Sequence, residues 1–262
     1  MDILQAQHAS ITVAQSQLLQ DITLTLHSGQ LIALLGLNGA GKTTLLKLLA
    51  GLWQANTGKV LLNNVELNLF RRQTLAIQIS YVPQQTHFEF AFTVWDIVMM
   101  GRNPYLGRFR PETVKDKQAV TRALERTDIT HLAQRWFHEL SGGEKQRVII
   151  ARSLATQANI ILLDEPIASL DIAHALAILQ LCRQLADEGH LILLSLHDIN
   201  AALRYADQVI LLHAGQLKAI GTPQQVLTTQ ALQTHFHLLG EPLSTHCGQS
   251  LFYFEHCLPA TK

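Results

Sequence analysis

The sequence predicts an α/β protein: a parallel, doubly wound core, an N-terminal antiparallel β subdomain and an inserted α-helical subdomain. Three observations predict it. Leu31–Leu35, Ile160–Leu163 and Leu191–Leu196 are continuously apolar, as strands covered by helices on both faces tend to be. Helical patterns lie between them, which favours parallel connections. Near the N-terminus the pattern is different. "DITLTLHSGQ" alternates Ile22, Leu24 and Leu26 with Thr23 and Thr25, and so reads as a half-buried strand.

In chain order, the alternating strand is followed by the apolar strand 31–35 and then by "GLNGAGKTT" (36–44), ahead of the apolar helix "LLKLLAGL". The string fits G-x-x-x-x-G-K-[ST] in its required strand–helix context. Gly36, Gly39 and Gly41 allow the backbone to close into a concavity of N–H groups that holds phosphate oxygens. The helix starting there adds its positive dipole end. Lys42 would reach the β- and γ-phosphates, and the Thr43 hydroxyl would bind Mg²⁺. "VLLNNVEL" then places Asn63 and Asn64 between apolar runs, a two-residue hairpin turn.

The stretch from about 86 to 150 has no comparable strand and is rich in helix formers; it reads as a helical subdomain inserted into the core. Within it Ser141 is a good helix N-cap for "GGEKQRVIIARSLA". Gly142 and Gly143 expose N–H groups at a dipole's positive end, a second anion site far along the chain from the first. A single phosphate loop leaves a γ-phosphate partly uncovered. A second anion site on another copy, docked head to tail, would close over it.

"IILLDEP" (160–166) ends a buried strand in Asp164, placed to hold Mg²⁺ directly or through water. Glu165, next along an extended chain, points differently and is placed to polarise an attacking water. "SLHDI" (195–199) ends the next strand with His197 at its tip. A lone histidine there is more often structural. In a doubly wound sheet, however, ligands sit at the carboxyl ends of the strands, where His197 could meet the γ-phosphate and the catalytic carboxylate. Gln84, in "YVPQQ", could sense the same metal and phosphate, with Gln85 as its competitor.

Here the chain resembles the ATPase subunit of ATP-binding cassette (ABC) transporters, over about residues 1–222, with 223–262 as a short C-terminal extension. "LSGGEKQR" (140–147) resembles the signature motif, Gln84 the Q-loop, "ASLDIA" (168–173) the D-loop and His197 the switch histidine. All lie in the family's order. The resemblance implies a P-loop NTPase (RecA-like) core and a homodimer sandwiching two ATP molecules. Each nucleotide lies between Gly36, Asn38, Gly39, Ala40, Gly41, Lys42, Thr43 and Thr44 of one subunit and Ser141, Gly142 and Gly143 of the other. It also implies Glu165, His197 and Gln84 as catalytic residues, Thr43, Gln84 and Asp164 about Mg²⁺, and integral membrane permease subunits as partners. A periplasmic or extracellular substrate-binding protein would act indirectly. Two positions depart from the pattern: Val13, where the family usually stacks adenine on an aromatic ring, and Ile167, where threonine is usual.

Within the family, residues 90–109 ("FAFTVWDIVMMGRNPYLGRF") resemble the importers of iron–siderophore, haem and cobalamin, in which T-V-x-[DE]-x-V-x-x-G-R-x-P is frequent; molybdate importers share much of it. Phe88, Phe90, Phe92 and Trp95 either pack inside the helical subdomain or line a groove near 84–109 for a permease helix. The expectation is therefore the ATPase of a metal-chelate importer, peripheral at the cytoplasmic face of the inner membrane. The alternative is a soluble regulatory or nucleic-acid-linked cassette ATPase.

Composition bounds both readings. Twenty Lys+Arg balance twenty Asp+Glu, so there is no basic footprint for nucleic acid. Charged residues are 15% of the 262, against roughly a quarter in ordinary soluble domains. Mean hydropathy is slightly positive. Yet no apolar run approaches the roughly 20 residues of a spanning helix. "MDILQAQHAS" lacks the features of a signal peptide, and Cys182, Cys247 and Cys257 read as reduced thiols. His235, His237, His246, Cys247, His256 and Cys257 cluster near the C-terminus, but no spacing there matches a metal site.

Overall fold

The computed structural model describes residues 2–86, 88–106, 111–168, 170–244 and 250–257. The chain opens with two long strands, β1 (Ile3–Val13) and β2 (Ser16–His27), which pair antiparallel. β4 (Thr57–Leu62) pairs with the other edge of β1, and β5 (Val65–Glu66) with β4. Asn63 and Asn64 form the expected two-residue turn, both left-handed at φ 52° and 66°, a conformation asparagine tolerates. Ala14 and Gln15 do the same between β1 and β2, at φ 45° and 70°. Neither residue advertises a turn, so β1 left no signal in its connection.

The core sheet runs β10–β9–β3–β8–β7–β6. Its members are β3 (Leu31–Leu35), β6 (Ile79–Val82), β7 (Ile160–Leu163), β8 (Leu191–Ser195), β9 (Gln208–His213) and β10 (Gln216–Gly221). All neighbours are parallel except β10, which closes the edge antiparallel to β9. The expected three apolar strands are present, and β9 adds a fourth buried apolar run, Val209–Leu212. β6 joins them, too short and too interrupted by Ser80 and Tyr81 to stand out.

β3 shows how the layers form. Ile32 and Leu34 face the cluster that holds the antiparallel sheet and helix α1 (Lys42–Leu49). Leu31, Ala33 and Leu35 face the opposite cluster. That second cluster takes α3 (Val94–Met99), α4 (Val114–Arg126), α5 (Gly142–Ala155), α6 (Ile172–Asp187) and α7 (Ile199–Tyr205), while α2 (Arg72–Gln78) lies beside β6. α3, α4 and α5 pack on one another between β6 and β7, the inserted helical layer.

The C-terminal residues fold back onto the core. α8 (Pro223–Val226) and α9 (Thr229–Phe236) lead into the hairpin β11 (Leu238–Ser244) and β12 (Ser250–Cys257). Phe252 is buried in the helical-side cluster, and its backbone N–H and C=O both bond the Asn200 side-chain amide of α7, at 2.7 and 3.0 Å. Among the described residues no helix is long and apolar enough to cross a membrane. None of their His, Cys, Asp and Glu groups could hold a metal in a set of three or more. His246 and Cys247 lie outside the described residues.

Candidate functional site

The loop 36–41 turns sharply between β3 and α1. Gly36 sits at φ 156°, and a Cβ there would lie 2.3 Å from the Leu212 carbonyl oxygen, so the approach of β9 requires glycine. The Ala40 N–H donates to the Leu37 carbonyl at 3.1 Å, which closes the turn and commits that donor within the loop. Lys42 begins α1 almost fully buried, and its Nζ donates to the carbonyls of Gly36 at 2.8 Å and Leu37 at 3.4 Å. Burial lowers its pKa, opposed by the charges of Glu165 and Asp164. Both carboxylates therefore lie within electrostatic reach of the ammonium. Thr43 is exposed on the first turn of α1.

Asp164 follows the last residue of β7 and is 1% exposed. Ser195 Oγ donates to its Oδ1 at 2.9 Å and Tyr81 Oη to its Oδ2 at 3.2 Å. Burial, then the charge of Asp164, pushes the Tyr81 phenol upward, so it stays a donor. Ser195 also accepts the Glu165 N–H at 2.7 Å. Tyr81 and Ser195 were not singled out in the sequence. Ser195 carries a signal, a polar residue at the end of a buried apolar strand that needs a partner, whereas Tyr81 lies inside the interrupted β6 and carries none.

Glu165 is not on extended backbone, as strand alternation would have it. Its φ is 48°, so a left-handed turn, not pleating, swings it away from Asp164. Its two oxygens are both held: Gln84 Nε2 donates to Oε2 at 2.6 Å, and His197 Nε2 bonds Oε1 at 2.6 Å. Of the two glutamines at the end of β6, Gln84 makes this contact. Strands β3, β6, β7 and β8 thus bring Lys42, Gln84, Asp164, Glu165 and His197 to one end of the sheet.

Ser141, Gly142 and Gly143 are not joined to that group by any contact among the described residues. Ser141 caps α5 and Gly142 and Gly143 begin it, and the helix packs its apolar side into the cluster opposite the one that holds α1. Ser141 Oγ accepts the Glu144 N–H at 3.3 Å, and the Glu144 carboxylate accepts the Ser141 N–H at 2.8 Å. This reciprocal cap holds the Glu144 carboxyl below its ordinary range. Gly142 and Gly143 lack left-handed backbone. A Cβ on Gly142 would meet nothing within 4 Å, so nothing described in its own chain requires glycine there.

Phe88 stacks edge-on with Phe92 and Phe137 at centroid distances of 5.9 and 5.1 Å, and with Trp95 packs on the helical-side cluster. Phe90 is 73% exposed. Val13 is exposed at the end of β1. Ser169, of the 168–173 segment, and residues 107–109, of the 90–109 stretch, lie outside the described residues.

The family model described as "ABC transporter" matches residues 19–168. A hemin import ATP-binding protein of Thermobifida fusca is 41% identical over 88% of this chain and 80% of its own length. A cobalamin import ATP-binding protein of Halobacterium salinarum is 37% identical over 86% of this chain but 56% of its own length. Among solved structures, an inward-facing ABC transporter of metal-chelate type aligns with TM-score 0.85 at 30% identity, covering 97% of this chain and 98% of that one.

Proposed function

The chain belongs to the ABC transporter family as an ATP-binding, ATP-hydrolysing subunit, and we propose that it drives import of a metal chelate such as haem, cobalamin or an iron–siderophore. The cargo class rests on the likeness to import proteins named for hemin and cobalamin and to a metal-chelate type transporter. The same likenesses favour import over a soluble regulatory or nucleic-acid-linked role.

The observation that carries the chemistry is Glu165, held at 2.6 Å by both Gln84 and His197 while Lys42 lies within reach of its charge. In this reading the nucleotide rests on Gly36, Asn38, Gly39, Ala40, Gly41, Lys42, Thr43 and Thr44, and Lys42 exchanges its carbonyl partners for phosphate oxygens. Glu165 is the general base. One of its two side-chain contacts yields to the attacking water, and His197 keeps the carboxylate aimed. The oxygen donors nearby suit Mg²⁺: the Thr43 hydroxyl, the Asp164 carboxylate and the amide oxygen of Gln84, whose nitrogen is spent on Glu165. When bound, Mg²⁺ neutralises charge on the β- and γ-phosphates.

Ser141, Gly142 and Gly143 cover the γ-phosphate of a second copy, in a head-to-tail dimer. The open space over Gly142 supports this, because nothing among the described residues of its own chain requires a glycine there. A permease helix docks in the groove of about 720 Å³ between α2 and the helical layer, lined by Leu52, Arg72, Leu75, Tyr81, Met100 and Pro104. The subunit then lies peripheral to the inner membrane at its cytoplasmic face, and a substrate-binding protein acts on the far side.

Affinity purification from detergent-solubilised membranes tests the proposal. The expected result is a co-purifying permease and, in proteoliposomes, ATP-dependent uptake of haem, cobalamin or ferric siderophore. A chain recovered without any membrane protein, with hydrolysis stimulated by nucleic acid, would overturn it in favour of the soluble alternative.

A further inference from the structure

The two signature glycines meet different surroundings. Around Gly142 there is open space, but a Cβ on Gly143 would lie 3.3 Å from both Cγ and Cδ2 of His174. His174 is the third residue of α6, so this contact joins the first turns of two helices. Its ring is not free to turn aside. The N-cap Asp171 accepts the His174 backbone N–H on Oδ1 at 2.9 Å and meets the imidazole Nδ1 through Oδ2 at 2.5 Å. One carboxylate thus holds both the backbone and the ring of the same residue. Those bonds, the backbone one first, keep the Asp171 carboxyl below its ordinary range, so it stays an acceptor. Gly143 has ordinary helical backbone, and the ring is the neighbour that limits its side chain.

We infer that His174 is a positioning residue for the signature turn. Braced by Asp171, its ring fixes where the first turn of α5 presents the Gly142 and Gly143 N–H groups to a partner's nucleotide. The inference rests on the composite-site reading above. It also links α6, whose N-cap and first residues end the 168–173 segment, to the signature of the same chain.

The test is a double-mutant cycle in the full chain carrying Glu165→Gln, so that an ATP-bound dimer persists. Two quantities are measured: affinity of the single chain for a fluorescent ATP analogue, and the dimer dissociation constant with ATP and Mg²⁺ by sedimentation. His174→Ala is expected to weaken the dimer about fivefold, leaving analogue affinity within about twofold. Gly143→Ala weakens it further, because the new methyl pushes on the ring. With the ring gone the methyl has room, so the double variant pairs at least about threefold better than the product of the single effects. His174→Asn keeps Cγ, a planar group in place of Cδ2 and a nitrogen in place of Nδ1, and should restore pairing to within about twofold.

Additive effects, or an Asn variant as weak as the Ala variant, would overturn the inference. So would analogue affinity that falls in step with pairing, since that marks general damage. If the Glu165→Gln parent itself fails to pair, the composite-site reading falls and this inference with it. A parent that pairs while the cycle is additive rejects His174 alone.

Discussion

Arg102 and Asp116 are both about 5% exposed, and their Nε–Oδ1 bond is 2.9 Å. Arg102 also donates to the Ala155 carbonyl at 2.8 Å and lies 3.7 Å over the Tyr105 ring. Asp116 is held at about 2, well below its ordinary 3.8, chiefly by the Thr113 hydroxyl and backbone N–H, with Arg102 a smaller cause. Since the folded value is the lower one, the contribution is complete above about pH 4 and lost as pH falls towards 2. The shift corresponds to about 2 kcal/mol. Urea unfolding between pH 2 and 5 should show that loss, and Asp116→Asn should remove the component. At neutral pH the same variant leaves a buried guanidinium without its charge partner, at a cost of about 3–5 kcal/mol. An Asn variant as stable as the parent at pH 7 would contradict this account of the pair.

Residues 93–104 change meaning once seen as elements. The spacing T-V-x-[DE]-x-V-x-x-G-R-x-P reads in sequence as a mark of one importer group, yet the structure gives these positions packing roles. Thr93 and Asp96 form the capping box of α3. Gly101 lets the segment after α3 touch α5: a Cβ there would lie 2.2 Å from the Arg152 carbonyl oxygen, a backbone atom that cannot step aside. Gly101→Ala should therefore destabilise the helical layer by about 1–3 kcal/mol, measured by thermal or urea unfolding. A change within about 0.5 kcal/mol would show that the two segments are not packed that closely. The pattern of elements explains what was legible in the sequence. Uniformly apolar strands such as Leu31–Leu35 declare themselves because both faces are covered. β6 carries Ser80 and Tyr81, polar because one bonds Ser153 and the other Asp164, and so it lost the apolar signal. At the site, strand-end chemistry exposed Asp164, Glu165 and His197 as candidates. The hydroxyls that hold Asp164, and the His174 ring beneath Gly143, depend on contacts between elements distant in sequence, and no spacing encodes those.

At the scale of the molecule, one chain carries two glycine-bearing turns at the starts of helices that pack into opposite clusters, α1 on one side of the sheet and α5 on the other. Contacts among the described residues complete the first turn with Gln84, Asp164, Glu165 and His197 and leave the second without a ligand-facing partner. In the proposed assembly two chains close head to tail over shared nucleotides. Glu165→Gln keeps the shape of the side chain but cannot accept a proton, so turnover should fall roughly 10²–10⁴-fold while ATP still binds. The nucleotide it cannot consume then stabilises the pair. The direct measurement is the mass of Glu165→Gln in solution, with and without ATP and Mg²⁺, beside the same chain carrying Ser141→Arg. The predicted result is a shift from the 29.2 kDa of one chain to twice that on adding ATP, abolished by Ser141→Arg although the nucleotide still binds. A Glu165→Gln protein that binds ATP and stays at the mass of one chain would contradict the claim, as would a Ser141→Arg variant that pairs normally.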